Sequence, residues 1–211
     1  MTPKKKTYEL TAQTIIRNMA KRQIEGFYCP DRASALAKAL SLMPEGSSIG
    51  WGGSITLNEI GLIEAVKNGP YDVIDRATAR TPEDTKSIYS RIIGANFFLM
   101  STNAITLDGQ LVNIDGHGSR VAFLCYGPDH VIVVAGMNKV VKDVETGIQR
   151  VKAVAAPPNA VRLERNTPCT ITGTCSDCQA PGCICCQTVI TRRSSVPQRI
   201  KVILVGEELG Y

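Results

Sequence analysis

Hydrophobic residues along the chain follow two alternating patterns, which predict helices and short strands in turn. Apolar positions at helical spacing predict helices over residues 7–26, 32–42 and 56–67. The predicted strands are Ser48–Trp51, Tyr71–Asp75, Asn96–Thr102, His130–Gly136, a hairpin over Ala104–Asp115, and two final strands in 188–193 and 199–211. This alternation predicts an α/β fold with a mainly parallel sheet and flanking helices, in which the run from His130 is a central strand.

Turn and capping residues set the expected ends of these elements. Asp31 and Thr81 are predicted N-caps, and Pro82 suits the first turn after Thr81. Asp108-Gly109 predicts a two-residue hairpin turn. Pro157-Pro158-Asn159 is expected to end the helix that precedes it, and the lysines of residues 3–6 are expected to lie in a frayed end.

The chain of 211 residues is expected to form a single domain, residues 1–211. It divides into N-terminal helices (1–45), an α/β core (46–168), a cysteine-rich loop (169–186) and final strands (187–211). A hydrophobic fraction of 44% and a charged fraction of 20% are typical of a globular protein that folds without disulfides.

Charge and hydropathy disfavour several classes of function. A net charge of +5, with only 5% aromatic residues and no basic stripe, disfavours nucleic-acid binding. No apolar segment suits a signal peptide or a membrane span, so the expected location is the cytoplasm, without membrane association. Thiols stay reduced there, and clustered cysteines then indicate metal ligands or redox groups before structural disulfides.

A glycine turn between a predicted strand and a predicted helix is the first candidate site. Gly52 and Gly53 allow a ligand to approach the backbone closely, and Ser54 and Thr56 add hydroxyls beside a helix N-terminus that favours anions. The alternative is a plain tight turn. Glu59 either completes a capping box with Thr56 as N-cap or acts as an acid or base in the pocket.

A second candidate segment follows the predicted hairpin. Asp115 and His117 offer a carboxylate and an imidazole for acid–base chemistry, and Arg120 can hold an anion bidentately, with Gly116 and Ser119 between them. The alternative is a glycine-rich surface loop.

Two polar residues follow the central strand directly. Asn138 and Lys139 are expected at its carboxyl end, where open α/β sheets bind ligands. A solvated lysine is the alternative. The catalytic candidates are thus Glu59, Asp115 and Lys139, and the ligand-binding candidates are Gly52, Gly53, Ser54, Thr56, Asp115, Gly116, Arg120, Asn138 and Lys139.

Several segments together resemble the LUD domain family, which includes the lactate-utilization protein C-like proteins. They are "GWGGSITLNEIGL", "STNAITLDGQLVNIDG", "YGPDHVIVVAGMNKVV", "PPNAVRLERNTPCTITGTCSDC" and "KVILVGEELGY". The resemblance runs from Tyr8 to Tyr211 and implies a fold similar to the NagB, ribose-5-phosphate isomerase and CoA-transferase group.

The resemblance also implies a ligand-binding site and a metabolic role. In that fold group, glycine loops after strands hold phosphates or CoA, and Gly52, Gly53, Ser54 and Thr56 occupy this position here. Relatives act in bacterial L-lactate oxidation to pyruvate, alongside iron–sulfur partner proteins. His117 and Ser119 stand where relatives often carry Asn, so a catalytic role for His117 is not implied.

Six of the eight cysteines lie in residues 169–186. Four match a C-x5-C-x2-C-x6-C pattern similar to that of the family and form the predicted metal-ligand set: Cys169, Cys175, Cys178 and Cys185. Thiolate-only sites suit zinc or an iron–sulfur cluster, and the choice stays open, with disulfides or free thiols as the further alternative. Cys183 and Cys186 look additional to this set.

The remaining two cysteines, Cys29 and Cys125, are isolated in the sequence. Cysteine without a chemical partner behaves as a small hydrophobic residue and is usually buried. Both are therefore expected in the core.

The resulting hypothesis is a LUD-domain protein of lactate or related organic-acid utilization. It would bind a small anionic metabolite in the glycine-turn pocket and work with iron–sulfur oxidoreductase subunits. One alternative is a non-catalytic, metal-stiffened assembly or regulatory subunit, and another is an enzyme acting on a phosphosugar or a CoA-type substrate. Catalysis by the chain itself and a homodimer stay open at this point.

Overall fold

A six-stranded, all-parallel sheet forms the centre of the fold. The computed structural model describes residues 2–211. The strands of this sheet are β1 (Glu25–Cys29), β2 (Ser48–Trp51), β3 (Asp72–Ile74), β4 (Phe97–Met100), β7 (His130–Gly136) and β10 (Ile200–Val205). Their order is β1-β10-β7-β4-β2-β3, and every neighbouring pair is parallel. The predicted α/β fold is confirmed, with β7 in a central position.

A second sheet of four strands, which the sequence does not predict, lies beside the first. Its strands are β5 (Ala104–Thr106), β6 (Leu111–Asp115), β8 (Val140–Val141) and β9 (Gln187–Thr191), in the order β8-β5-β6-β9. The predicted hairpin is present as the antiparallel pair β5 and β6. Its loop is longer than predicted, because the Thr106 N–H donates to the Gln110 carbonyl at 3.0 Å and encloses three residues.

Nine α-helices surround the sheets in residues 2–211. They are α1 (Pro3–Lys21), α2 (Arg32–Ser41), α3 (Ile55–Glu59), α4 (Leu62–Asn68), α5 (Pro82–Ile93), α6 (Ser119–Cys125), α7 (Val144–Arg150), α8 (Ala156–Arg162) and α9 (Pro168–Thr172). Two predicted N-caps are confirmed, since Asp31 accepts from the Ser34 N–H at 2.8 Å and Thr81 from the Asp84 N–H at 3.0 Å. Among the described residues, no helix combines the length and the apolar character that a membrane crossing needs.

The central strand shows how the sheet divides the core. Val131 and Val133 pack on the side of α1, α5 and α6, whereas Ile132 and Val134 pack on the side of α2, α3 and α4. All four side chains are fully buried. A strand covered on both faces reads as a continuous apolar run, which is why β7 was the clearest strand in the sequence.

The first helix is displaced from its prediction. It begins at Pro3, with Thr2 accepting from the Lys5 N–H, so the lysine run is helical and not frayed. It ends at Lys21, and Glu25–Cys29 forms β1 beside β10. The partner strand lies at the far end of the sequence, and this long-range pairing overrides the local helical pattern.

Two predicted helix boundaries are also wrong. The helix expected over 56–67 is divided into α3 and α4 at Gly61, whose φ of 73° leaves the helical region. The helical run that begins at Val144 does not end at Pro157. It continues through a π-helical turn over Val151–Ala155 into α8, where the two prolines occupy the first turn and need no N–H partner.

Candidate functional site

Three adjacent parallel strands end at one edge of the main sheet. β2 is followed by the glycine turn and Thr56, β4 by Ser101, and β7 by Lys139. Carboxyl ends of parallel strands share an edge, so residues that are far apart in the sequence meet there.

Lys139 is the centre of this meeting point. Its side chain is buried, with 4% of the residue exposed, and Nζ donates to Thr56 Oγ1 and to Ser101 Oγ, both at 3.0 Å. These bonds use two of its three N–H groups, and no acceptor in residues 2–211 takes up the third. A buried amine with an unused donor at the rim of a cavity is suited to bind an anion.

Burial lowers the pKa of Lys139 to about 7, and the nearby positive charges of Arg150 and Arg120 add to this effect. Glu59 acts in the opposite direction but more weakly. The amine is consequently present in both its charged and its neutral form near neutral pH.

A cavity of about 330 Å³ opens beside Lys139. Its lining includes five basic side chains and a single side-chain carboxylate, that of Asp115; the basic residues are Arg76, Arg120, Lys139, Arg162 and Arg165. This excess of positive charge attracts anions into the cavity, which we call the anion pocket.

Seven of the nine predicted ligand-binding residues line the anion pocket: Gly53, Ser54, Thr56, Asp115, Gly116, Arg120 and Lys139. Gly52 does not line it but lies beneath the side chain of Arg120, which a Cβ atom would meet at 3.5 Å. Asn138 holds the C-terminal segment, since its Oδ1 accepts from the Leu209 N–H at 3.1 Å.

Arg120 organises the pocket wall. Nε donates to Asp115, Nη1 to the Ser101 carbonyl and to Asn113, and Nη2 to Asn103 and to the Ile114 carbonyl, at distances of 2.8–3.1 Å. All five of its N–H donors are thus engaged within the protein. It supplies positive charge and fixes the ends of β4 and β6, whereas the sequence suggested a bidentate clamp for a ligand.

Asp115 and His117 do not form the acid–base pair considered from the sequence. The oxygens of Asp115 accept from the Gly118 N–H at 2.7 Å and from Arg120 Nε at 2.9 Å. His117 is exposed at the rim of the anion pocket. The carboxylate therefore shapes its own loop and holds Arg120.

Comparison with known proteins identifies the family. The model of the LUD domain matches residues 12–205. The chain belongs to the LUD domain family.

A solved structure resembles this LUD domain along nearly its whole length. It is a DUF162 family protein from Deinococcus radiodurans, with a TM-score of 0.55, 15% sequence identity, and coverage of 94% of this chain and 98% of that chain. At this identity the likeness concerns the fold. A search of curated proteins found no match.

The helix that follows the glycine turn of this LUD domain starts two residues earlier than the predicted cap implies. Ser54, not Thr56, is the N-cap of α3 and accepts from the Leu57 N–H at 3.3 Å. Thr56 is thereby free to face Lys139. Glu59 forms no capping box, because its carboxylate accepts from the Gly210 N–H at 2.8 Å and fastens the C-terminal segment over the site.

That C-terminal segment closely approaches Lys139. A Cβ atom on Gly210, whose φ is +57°, would lie 2.6 Å from Thr56 Oγ1 and 3.3 Å from Lys139 Nζ. Arg150 supports the same region by donating to the carbonyls of Asn138 and Asn103 at 3.0 and 2.8 Å.

Sequence reasoning missed several residues of this LUD site. Ser101 lies near the end of the predicted strand Asn96–Thr102 and Asn103 directly follows it, so the strand-end rule that selected Lys139 would have found both. No local signal marks Arg76, Arg150, Arg162 or Arg165, since only the tertiary fold brings these side chains to the site.

The cysteine-rich segment borders a second cavity, of about 480 Å³, which we call the cysteine cavity. All six of its cysteines line it: Cys169, Cys175, Cys178, Cys183, Cys185 and Cys186. In residues 2–211 no three His, Cys, Asp or Glu side chains converge on a single ion position. Zinc or iron–sulfur binding by the predicted ligand set stays a prediction.

The two isolated cysteines differ from each other. Cys29 is buried at the end of β1, as expected, whereas Cys125 is exposed at the end of α6. The expectation for Cys125 is wrong, because the last turn of α6 leaves the core there.

Proposed function

We propose that this LUD domain binds a small organic-acid anion, lactate or a close relative, in the anion pocket. The observation that carries the proposal is the buried Lys139 with an unused N–H group at the pocket. A carboxylate beside it would gain a charge-assisted hydrogen bond in a poorly solvated site. The five cationic side chains that line the pocket favour the same class of ligand.

The proposed roles of the site residues follow from their contacts. Thr56 and Ser101 hold the amine in place, and its burial, with Arg150 and Arg120 adding to the effect, keeps its pKa near 7. As an ammonium ion, Lys139 holds the ligand carboxylate. As a neutral amine in the empty site, it can take up a proton when the anion binds, so ligand binding and protonation of Lys139 are coupled.

We also propose iron–sulfur oxidoreductases as partners. Oxidation of a hydroxy acid releases electrons, and a pocket of this composition offers no acceptor of its own. The resemblance to lactate-utilization proteins supports this class of partner, and the location of the cysteine cavity beside the anion pocket is consistent with it.

The experiment is a thermal-shift panel with lactate, pyruvate, phosphate and CoA at pH 6.5. Lactate or pyruvate should raise the Tm of the wild type and of the control variant Lys142→Met. Lys142 is exposed and lies three positions after Lys139 in the sequence. Lys139→Met should lose the shift. Protection by phosphate or CoA alone would assign a phosphosugar or CoA-type substrate, and absence of any shift would refute the anion pocket.

A second candidate function is a non-catalytic assembly subunit whose cysteine segment docks a partner. Ile171, next to the cysteines on α9, is 81% exposed, which favours a binding surface there. If the chain is such an assembly subunit, the double variant Cys175→Ser/Cys178→Ser loses metal and partner binding while its circular dichroism spectrum is unchanged.

A further inference from the structure

The cysteine cavity holds thiols that are arranged as a connected row. Cys185 is half-buried and lies near Cys183, Cys175 and Cys169. The Cys183 thiol in turn lies beside those of Cys178 and Cys185. Cys183, which the spacing left outside the ligand set, is therefore in the middle of the row and not peripheral to it.

Backbone N–H groups point at two sulfurs of this row. The Asp177 N–H donates to Cys175 Sγ and the Cys185 N–H donates to Cys183 Sγ, both at 3.4 Å. Such bonds stabilise thiolate charge, and in iron–sulfur proteins they set the reduction potential. Both bonds come from short turns in which the chain wraps around the cavity.

An ion pair and apolar surface complete the site. Lys152 lines the cysteine cavity and its Nζ donates to Asp177 Oδ1 at 2.6 Å, which places a cation beside the thiols. The lining also has an apolar part, with Ile114, Ala156 and Ala160. A cluster with several thiolate ligands needs limited contact with solvent, and a lining with the Lys152–Asp177 ion pair and an apolar part suits that.

We propose that the cysteine cavity holds an iron–sulfur cluster and that Cys183 is one of its ligands. Six sulfurs bordering a cavity of about 480 Å³ match an object larger than one ion, because four thiolates around a single zinc would close the space to about 2.3 Å from the metal. This proposal does not depend on the ligand of the anion pocket.

The cysteine cavity lies directly beside the anion pocket. Ile114 and Ile184 line both cavities. The π-helical turn also separates them, with Ala155 on the anion pocket and Lys152 on the cysteine cavity. π-turns of this kind often occur at functional sites. A cluster here would lie one layer of side chains from the proposed organic acid.

The first test is metal analysis of the full chain, purified anaerobically and reconstituted with ferrous iron and sulfide under a thiol reductant. Iron and acid-labile sulfide should be present in equal amounts, about two to four of each per chain, with a Mössbauer spectrum of tetrahedral sulfur-ligated iron. One zinc per chain without iron, or no metal in any preparation, would overturn the cluster.

Matched serine variants test the role of Cys183. Cys183→Ser should retain less than half of the wild-type iron and sulfide. Cys186→Ser is the neighbouring control, since Cys186 is the exposed member of the segment and its thiol donates to the Cys183 carbonyl at 3.4 Å, a bond that serine can keep. Cys125→Ser is a remote control. Full iron and sulfide in Cys183→Ser would overturn the ligand assignment, while circular dichroism and the lactate thermal shift report separately on the fold and on the anion pocket.

Discussion

The anion pocket and the cysteine cavity share a wall but are built in opposite ways. The polar centre of the anion pocket, Lys139 with Thr56 and Ser101, is buried and comes from three separate strand ends. The thiols of the cysteine cavity are half-buried or exposed and come from residues 169–186 alone. The tertiary fold therefore sets the geometry of the first site, whereas a short local segment, and whatever it binds, sets that of the second.

The largest change in stability is expected from Arg120→Lys, which alters the wall of the anion pocket. The substitution keeps the charge but removes most of the five hydrogen bonds that join β4 and β6 at the pocket wall. We expect a loss of about 2–4 kcal/mol in the free energy of unfolding, measured by urea denaturation, because buried acceptors lose their partners.

Arg91→Lys is the control for that measurement. Arg91 is exposed and its contact with Asp72 is 3.3 Å long, so the urea midpoint should hardly change. Equal midpoints for the two variants would contradict the view that tertiary hydrogen bonds build the anion pocket.

Gly210→Ala tests the close approach of the C-terminal segment to Lys139. Gly46→Ala is matched to it, since both glycines have positive φ but nothing lies within 4 Å of a Cβ on Gly46. Both variants carry a backbone cost of about 1 kcal/mol, and overlap with Thr56 should add about 1–2 kcal/mol for Gly210 only. Calorimetry checks this difference, and a larger effect of Gly46→Ala would contradict the packing described here.

Stability should rise with pH in a way that depends on Lys139. Between pH 7 and 8.5 the unfolded chain, with a lysine pKa of 10.5, keeps a proton that the folded chain releases with its pKa of about 7. The unfolded state then binds more protons, and the free energy of unfolding gains up to about 1.4 kcal/mol per pH unit. Below pH 7 both states are charged and the slope disappears.

Lys139→Met should remove this slope, and Lys142→Met should keep it. Urea denaturation at closely spaced pH values in this window measures the difference. An unchanged slope in Lys139→Met would show that the amine is charged in the folded state throughout.

The smallest effect on folding is expected from Cys175→Ser/Cys178→Ser in metal-free protein. These thiols add little to the apolar core, so the urea midpoint should stay close to that of the wild type. With bound metal, the wild type alone should be stabilised, since a ligand that binds only the folded state raises its stability. A large loss of stability without metal would show that the segment belongs to the core.

Local chemistry made part of this structure predictable. Asp31 and Thr81 cap helices through contacts only three residues away, and β7 is apolar on both faces because both faces are buried. The place of Lys139 at the site was predictable for a similar reason, since it follows the most apolar strand and the carboxyl ends of such strands form ligand sites.

Long-range contacts account for what could not be predicted. β1 exists because it pairs with β10, about 175 residues away, and its own sequence continues a helical pattern. Arg150 lies at the site only because α7 packs against the second sheet, which the sequence did not reveal. The row of thiols shows the same limit, as the family-like cysteine pattern gives no sign that Cys183 lies beside Cys178 and Cys185.

The most direct test of the central claim is calorimetric titration of lactate at pH 7.5, in two buffers of different ionisation enthalpy. An anion beside Lys139 raises the pKa of the amine from about 7, so binding should take up a fraction of a proton from the buffer. The account predicts this proton uptake in the wild type and in Lys142→Met, with no binding by Lys139→Met. Equal lactate affinity in Lys139→Met, or binding without proton uptake in the wild type, would contradict it.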